Sequence, residues 1–138
     1  MADYNLGISL LNNVLLNTRN AELCYKECVK KVKVSTLKDM LARRLSEIED
    51  NIMELEDLIY SLGSNPNFKI NNPEVLSLDT ENIKDLSLCD YLKYVEDLVI
   101  KVCTFATYKN LAPIINLTIL NQLNNAKNYR NQLERYAV

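Results

Sequence analysis

Histidine is absent from this 138-residue sequence, and only two glycines and three prolines occur. The missing histidine removes the usual base partner of a Ser or Cys nucleophile and a common metal ligand. Sandwiches and barrels need many tight turns, whose special backbone angles are supplied mostly by glycine and proline. With so few turn residues the secondary-structure elements must be long, which predicts an all-α protein.

The composition is that of one globular domain, 1–138, with 48% apolar and 25% charged residues. A net charge of −2 argues against a general nucleic-acid binder, which needs a basic face. Lys30, Lys31 and Lys33 end the first helical pattern, where cations complement the helix dipole. We therefore expect no nucleic-acid partner.

The first residues of the chain and its longest apolar run predict where in the cell the protein is found. Met1-Ala2-Asp3 lacks the basic region of a signal peptide. The best apolar run, 111–120, is interrupted by Pro113 and Asn116 and is too short to cross a bilayer. We expect a cytoplasmic protein that does not enter membranes and whose four cysteines are free thiols.

Apolar residues recur at helical spacing in four blocks. The strongest stripe runs from Leu37 to Leu62. Ser35 is a candidate N-cap, Gly63 a C-terminal stop, and Ser87 with Asp90 a candidate capping box, while Pro113 suits a first helical turn. The predicted helices are about 5–32, 36–62, 88–109 and 113–136.

Connection lengths predict the topology. Short turns join helices one and two, and three and four, so each pair forms an antiparallel hairpin. The crossover 63–87 is long enough to run the whole length of the bundle, with a short helical turn predicted over Thr80–Leu86. Two hairpins joined by one long crossover form a ferritin-like four-helix bundle.

The first half, 10–66, contains several short patterns in a characteristic order. It resembles a bacterial ferritin-like domain family of unknown function, which implies a fold and no established activity. The patterns are Leu11, Asn12 and Leu15; Glu22, Tyr25 and Glu27; Leu37-Lys38; and Leu62, Gly63 and Pro66.

A di-iron centre is not predicted. Such a centre takes one Glu from each of two helices and Glu-x-x-His from each of the others. The fourth predicted helix has no carboxylate before Glu134, and in the pair Glu47 and Asp50 the aspartate points away from the apolar stripe. No metal and no cofactor are expected. The weaker metal-binding alternatives are Glu22, Glu47 and Glu96, or Cys24, Cys28 and Cys103.

Charged residues on the apolar stripes predict a different interior. Glu22, Arg44, Glu96 and Arg130 project to similar heights along the bundle, which predicts a buried, self-neutralising polar layer. The alternative is that these long side chains reach solvent at the edges of the stripes.

The cysteines allow two interpretations. Cys24 and Cys28 are one helical turn apart and could hold a soft metal, whereas Cys89 and Cys103 lie on the third helix. One such pair is far from the long array that a copper store needs, and free cysteine packs well as a small apolar residue. Core or boundary packing is the favoured interpretation.

Three functions follow as hypotheses. The leading one is a non-enzymatic interaction or stress-related structural protein, with a second copy in a homodimer or another protein as its partner. The first rival is a metal-binding or redox protein that uses the carboxylates or cysteines named above, and the second is a small-ligand carrier with an apolar cavity. Four residues widen the apolar surface, which could serve a dimer or simply a broad core: Met40, Leu58, Leu98 and Phe105.

Overall fold

The computed structural model describes residues 4–67 and 84–136. Within these two ranges every regular element is an α-helix, which confirms the predicted class. The helices are α1 (Asn5–Lys31), α2 (Ser35–Ser61), α3 (Asp85–Thr107) and α4 (Pro113–Tyr136).

Two predicted helix boundaries are confirmed, the end of α2 before Gly63 and the start of α4 at Pro113. Gly63 has φ +83, and the N–H groups of Gly63 and Ser64 donate to the carbonyls of Tyr60 and Ile59 at 3.0 and 3.2 Å. These two bonds form a Schellman motif, which needs a left-handed residue at the position of Gly63. Helix α4 begins at Pro113.

The two predicted side-chain caps are wrong. Ser35 is the first residue of α2, and the cap residue Val34 makes no side-chain hydrogen bond. Helix α3 begins at Asp85, three residues before its predicted start, and its cap residue is Lys84. Ser87 therefore lies inside the first turn.

Asp85 fixes the direction of α3. Its Oδ1 and Oδ2 accept hydrogen bonds from the backbone N–H groups of Lys33 and Val34, each at 2.9 Å. These N–H groups belong to the turn between α1 and α2, so α3 begins at the end of the bundle where α2 begins. The predicted topology, two antiparallel hairpins with α2 and α3 parallel, is confirmed.

The start of the crossover is held against α1. The backbone N–H of Asn67 donates to Oδ1 of Asn12 at 2.8 Å, and the Asn67 carbonyl accepts from Nη1 of Arg19 at 2.9 Å. Arg19 is in turn paired with Glu56 of α2 at 2.8 Å. The rest of the crossover, 68–83, and most of the turn predicted over Thr80–Leu86 lie outside the described residues; Asp85 and Leu86 open α3.

The helices surround one core. Helix α1 packs against α2 and α3, and α4 packs against α3 and more sparsely against α2, so α2 and α3 lie on the diagonal of the bundle. Met40 is buried and Leu58 and Leu98 are partly buried, whereas Phe105 is 54% exposed. None of the four helices is long and apolar enough to span a bilayer, in the part of the chain searched.

Candidate functional site

A charged pair occupies the interior between α1, α2 and α3. Nε and Nη2 of Arg44 donate to Oε2 and Oε1 of Glu96, both at 2.8 Å. The hydroxyl of Tyr25 donates to Oε2 of Glu96, also at 2.8 Å. Arg44 is 1% exposed, and Glu96 and Tyr25 are 0% exposed. Three helices thus converge on one buried carboxylate.

The local sequence explains this convergence. Tyr25 and Arg44 occupy core-facing positions of α1 and α2, and Glu96 lies between the buried residues Val95 and Val99 of α3. A long arginine side chain can cross the core and place its planar guanidinium against both carboxylate oxygens. A lysine at this position would offer a single point charge instead.

Burial and pairing oppose each other in the titration of this site. Burial raises the pKa of Glu96, and the Arg44 charge and hydrogen bonds act in the opposite direction. Burial acts to lower the pKa of Arg44, but Glu96 outweighs it and the net shift is upward. The pKa of Tyr25 rises well above its ordinary value because of burial and then the Glu96 charge. Arg44 is therefore cationic and Tyr25 a neutral donor.

A second group continues from Arg44 toward the gap between α2 and α4. Nη1 of Arg44 lies 3.5 Å from Oε1 of Glu47, and the Tyr129 hydroxyl donates to Oε2 of Glu47 at 3.3 Å. Cζ of Arg44 lies 5.1 Å from the centre of the Tyr129 ring, a cation–π distance. The Glu47 side chain is 33% exposed, so this group joins the interior to the surface. The pKa of Tyr129 is raised by burial and then by Glu47.

The structure brings together two of the four residues proposed for the buried layer, Arg44 and Glu96. Glu22 lies at the boundary, 3.9 Å from Lys26. Arg130 is 30% exposed and pairs with Asp97 and Glu134. Both side chains are long enough to leave the core edge for solvent, as the alternative interpretation expected.

Sequence reasoning missed Tyr25 and Tyr129 as polar members of the site. A tyrosine on a core-facing stripe usually contributes its ring to packing, so the apolar pattern alone gives no sign that either hydroxyl takes part in a polar site. A buried tyrosine hydroxyl nevertheless needs a partner. If that rule is applied to a stripe that faces a predicted Glu–Arg pair, it predicts that Tyr25 and Tyr129 bond to the pair.

The cysteines are buried thiols. None of the four cysteines forms a disulfide, and Sγ of Cys24 lies 3.0 Å from the Tyr91 hydroxyl. Burial, followed by the neighbouring Cys24 and Cys89, raises the pKa of Cys28 to about 12. Burial likewise raises the pKa of Cys103 to about 12 and, with Asp85 and Asp90, that of Cys89 to about 11. Thiols with such values stay protonated and are poor nucleophiles and poor metal ligands at neutral pH.

The donor set does not fit a di-iron centre. Both oxygens of Glu96 are already bonded, and the place of a cation beside them is filled by the Arg44 guanidinium. Glu47 borders the same guanidinium, but Glu22 faces Lys26 at the boundary. Over residues 4–67 and 84–136, no group of three or more Cys, Asp or Glu side chains has the geometry to hold a metal ion.

Two grooves lie at the surface of the described part of the chain. One of about 300 Å³ lies between α2 and α4 and is lined by Met40, Arg43, Gln132, Arg135 and Tyr136. Another, of about 480 Å³, lies where the start of α1 meets the turn between α3 and α4. Both linings mix polar and apolar side chains, unlike the apolar cavity that a lipid-like ligand requires.

Comparison with solved structures places the molecule among ferritin-like bundles. A two-domain protein from Anabaena variabilis with DJ-1/ThiJ/PfpI-like and ferritin-like domains matches 99% of this chain, with TM-score 0.83 and 14% identity; the present chain spans 37% of that protein. A dodecameric thioferritin of Bacteroides fragilis matches 97% of this chain and 85% of its own, with TM-score 0.83 and 15% identity. A ferritin-like, diiron-carboxylate protein of Bacillus anthracis matches 100% and 99%, with TM-score 0.78 and 17% identity.

The family comparison agrees with the resemblance found in the sequence. Residues 7–70 match a family model described as a domain of unknown function, DUF2383. The match covers the first hairpin and the start of the crossover. No curated protein matches the chain. The fold is ferritin-like, and the identities to the solved structures are low enough that they speak for the fold alone.

Proposed function

We propose that this protein is a ferritin-like bundle whose internal cation is an arginine, and that it acts as a non-enzymatic interaction or structural protein without a di-iron centre. The observation that carries the proposal is the two-pronged bond of Arg44 to Glu96, at 2.8 Å to each oxygen. A metal bound there would have to displace a guanidinium that is nearly sealed from water.

Competition between Arg44 and a metal gives the test. Purified protein is incubated with Fe(II) or Mn(II), passed through a desalting column and analysed for metal by mass spectrometry. We expect substoichiometric metal in the wild type. One or two tightly held ions per chain, retained with the Arg44–Glu96 bond broken, would contradict the proposal and favour the metal-binding alternative.

The cysteines support a reducing compartment, and we propose the cytoplasm. All four thiols are buried and outside disulfides, so they contribute to packing and do not require an oxidising environment. The pKa values of Cys28, Cys89 and Cys103 are raised by burial. Ellman's reagent should react with the native protein only as fast as it unfolds, and with all four thiols in urea. Rapid labelling of Cys24 or Cys28 in the native state would instead favour a redox role.

The outer surface supports a role in association. Exposed apolar side chains include Met53 and Tyr60 of α2, Phe105 of α3 and Tyr108 directly after α3. We propose that partners bind there, as a second copy of the chain or as another protein.

A further inference from the structure

One side of α2 is an acidic face, formed by Glu49, Asp50, Met53 and Asp57. Met53 is 63% exposed, and Asp50 and Asp57 lie about one helical turn before and after it on the same side. The three carboxylates are also exposed. None of them forms an ion pair with any residue in the described part of the chain. The face is therefore three negative charges around one apolar side chain.

The opposite side of the bundle carries a lysine–aromatic face at the C-terminal end of α3. It is formed by Lys101 and Phe105 of the helix and by Tyr108 and Lys109 directly after it. Phe105 is 54% and Tyr108 81% exposed. Lys101 lies one turn before Phe105, and Nζ of Lys109 lies 4.5 Å from the centre of the Phe105 ring. No carboxylate among residues 4–67 and 84–136 pairs with either lysine. The face is therefore positive charge on both sides of one exposed ring.

The two faces lie at the same height along the bundle. Helices α2 and α3 are parallel, and two hydrogen bonds show which of their residues lie at equal height. The Arg44 side chain bonds to Glu96, and the backbone N–H of Lys33 bonds to Asp85. Both bonds join residues 52 positions apart, and the same separation relates Met53 to Phe105. Because α2 and α3 lie on the diagonal of the bundle, the two faces point in opposite directions.

We propose that the acidic face of one copy binds the lysine–aromatic face of a second copy. In this arrangement Met53 packs on the exposed edge of Phe105, a favourable sulfur–aromatic contact. Asp50 and Asp57 lie opposite the two lysines on either side of that contact. The charges and the spacing of the two faces match each other, which is why a second copy fits the surface better than an unrelated partner.

The opposite directions of the two faces determine the kind of assembly. One neighbour cannot reach both faces of a given molecule, so each copy binds two neighbours head to tail. Such a heterologous contact forms a ring when the rotation closes and an open chain when it does not. Equal heights of the faces allow neighbouring bundles to stand side by side without an axial step. The proposed assembly differs from a homodimer, in which each copy binds only one neighbour.

The inference goes beyond the proposed function and rests on it only in taking the protein to act through its surface. Exposed ion pairs are individually weak and are screened by salt. The apolar Met53–Phe105 contact therefore supplies much of the attraction, and the charges select the partner face. Assembly should weaken as the salt concentration rises.

Complementary charge reversal tests the interface. One variant carries Asp50→Lys and Asp57→Lys, and the other carries Lys101→Glu and Lys109→Glu. In each variant alone the two faces have charge of the same sign, so we expect association to weaken at least about tenfold. In an equimolar mixture the reversed acidic face of one variant meets the reversed lysine–aromatic face of the other, and the two unreversed faces also meet each other. Both contacts join opposite charges, so assembly should return. Sedimentation velocity at low salt measures both effects.

Three controls complete the experiment. Lys38→Glu with Lys127→Glu reverses two exposed lysines outside both faces and should assemble like the wild type. Met53→Ala with Phe105→Ala removes the apolar contact without changing charge and should also weaken assembly. Circular dichroism checks that each variant is folded.

The outcomes are separable from those of the metal test. A wild type that is monomeric at low salt, or reversed variants that associate like the wild type, would overturn the interface. So would a mixture that stays dissociated although both variants are folded. A metal-free monomer overturns the interface alone, whereas a metal-loaded assembly overturns the proposed metal-free interior alone.

Discussion

Glu96 is a carboxylate with no exposed surface, and its three hydrogen bonds come from Arg44 and Tyr25. Removing two charges from water is costly, and the attraction between them offsets that cost only when the geometry is good. Here the guanidinium is bidentate and a neutral hydroxyl completes the shell. The pair therefore adds little net stability, but the loss of either partner is severe.

Arg44→Met should lower the free energy of unfolding by about 3–5 kcal/mol at pH 7.5. The substitution leaves Glu96 buried and without its cation, a larger effect than the loss of one hydrogen bond. Urea denaturation followed by circular dichroism measures the change. A loss below about 1 kcal/mol would show that the pair is solvated.

The same variant should recover part of its stability in mild acid. Burial raises the pKa of Glu96, and removing Arg44 removes the main opposing effect. The folded state then binds a proton at a higher pH than the unfolded state, so stability falls as pH rises through this window. We expect a smaller deficit at pH 5.5 than at pH 7.5, and a deficit that grows on acidification would contradict this assignment.

Replacing all three partners together is the matched control. The triple variant Tyr25→Phe, Arg44→Met and Glu96→Leu leaves none of these polar groups unpaired in the core. Its stability should lie within about 1 kcal/mol of the wild type or above it. The deficit of Arg44→Met is then assigned to the stranded carboxylate and not to lost volume.

Tyr25 should make the protein sensitive to alkali. Its pKa is raised well above the ordinary value, so the folded state keeps a proton that the unfolded state releases near pH 10. Stability should therefore be lost above pH 10, by up to about 1.4 kcal/mol per pH unit. Tyr25→Phe should show a shallower decline, measured by urea denaturation at a series of pH values. Equal slopes would show that Tyr25 ionises freely.

Two of the four residues predicted for the buried layer are in it, and there is a physical reason why the other two are not. A charge on a core-facing stripe must find a partner, and that rule identified Arg44 and Glu96. The rule does not distinguish a side chain that crosses the core from one that turns outward. Glu22 and Arg130 occupy similar positions on their stripes, but their partners Lys26, Asp97 and Glu134 lie at the surface.

At the scale of the helices, the sequence predicts those helix ends that are determined by residues close by in the chain. The stop at Gly63 and the start at Pro113 follow from backbone angles that few other residues provide. The start of α3 does not, because Asp85 is held by N–H groups 52 and 51 residues away. A local search for caps favoured Ser87 for that reason.

Asp85→Ala should destabilise the joint between α1, α2 and α3. It removes two charge-assisted hydrogen bonds of 2.9 Å at an exposed site, which are worth about 1–3 kcal/mol in total. Asp85→Asn keeps one acceptor oxygen and should lose about half as much. Urea denaturation compares the two with the wild type. Identical stabilities for all three proteins would show that water replaces these bonds at no cost.

At the scale of the whole molecule, the family match and the folding unit differ in extent. The match covers residues 7–70, the first hairpin and the beginning of the crossover. Tyr25 and Arg44 of that hairpin are bonded to Glu96 of α3, and Glu47 is bonded to Tyr129 of α4. The matched segment therefore contains three of the five residues of this polar site, and the second hairpin supplies the other two.

A fragment of residues 1–70 should not form a stable monomer. Its inner face would expose the core residues of α1 and α2 together with Arg44, and an isolated hairpin of this kind is marginal in water. Far-ultraviolet circular dichroism should show reduced helix and a non-cooperative thermal transition. Adding the complementary fragment 71–138 should restore helicity and a cooperative transition in the wild type, and less so when that fragment carries Glu96→Leu. A cooperative, monomeric transition for 1–70 alone would show that the hairpin folds without the Arg44–Glu96 pair.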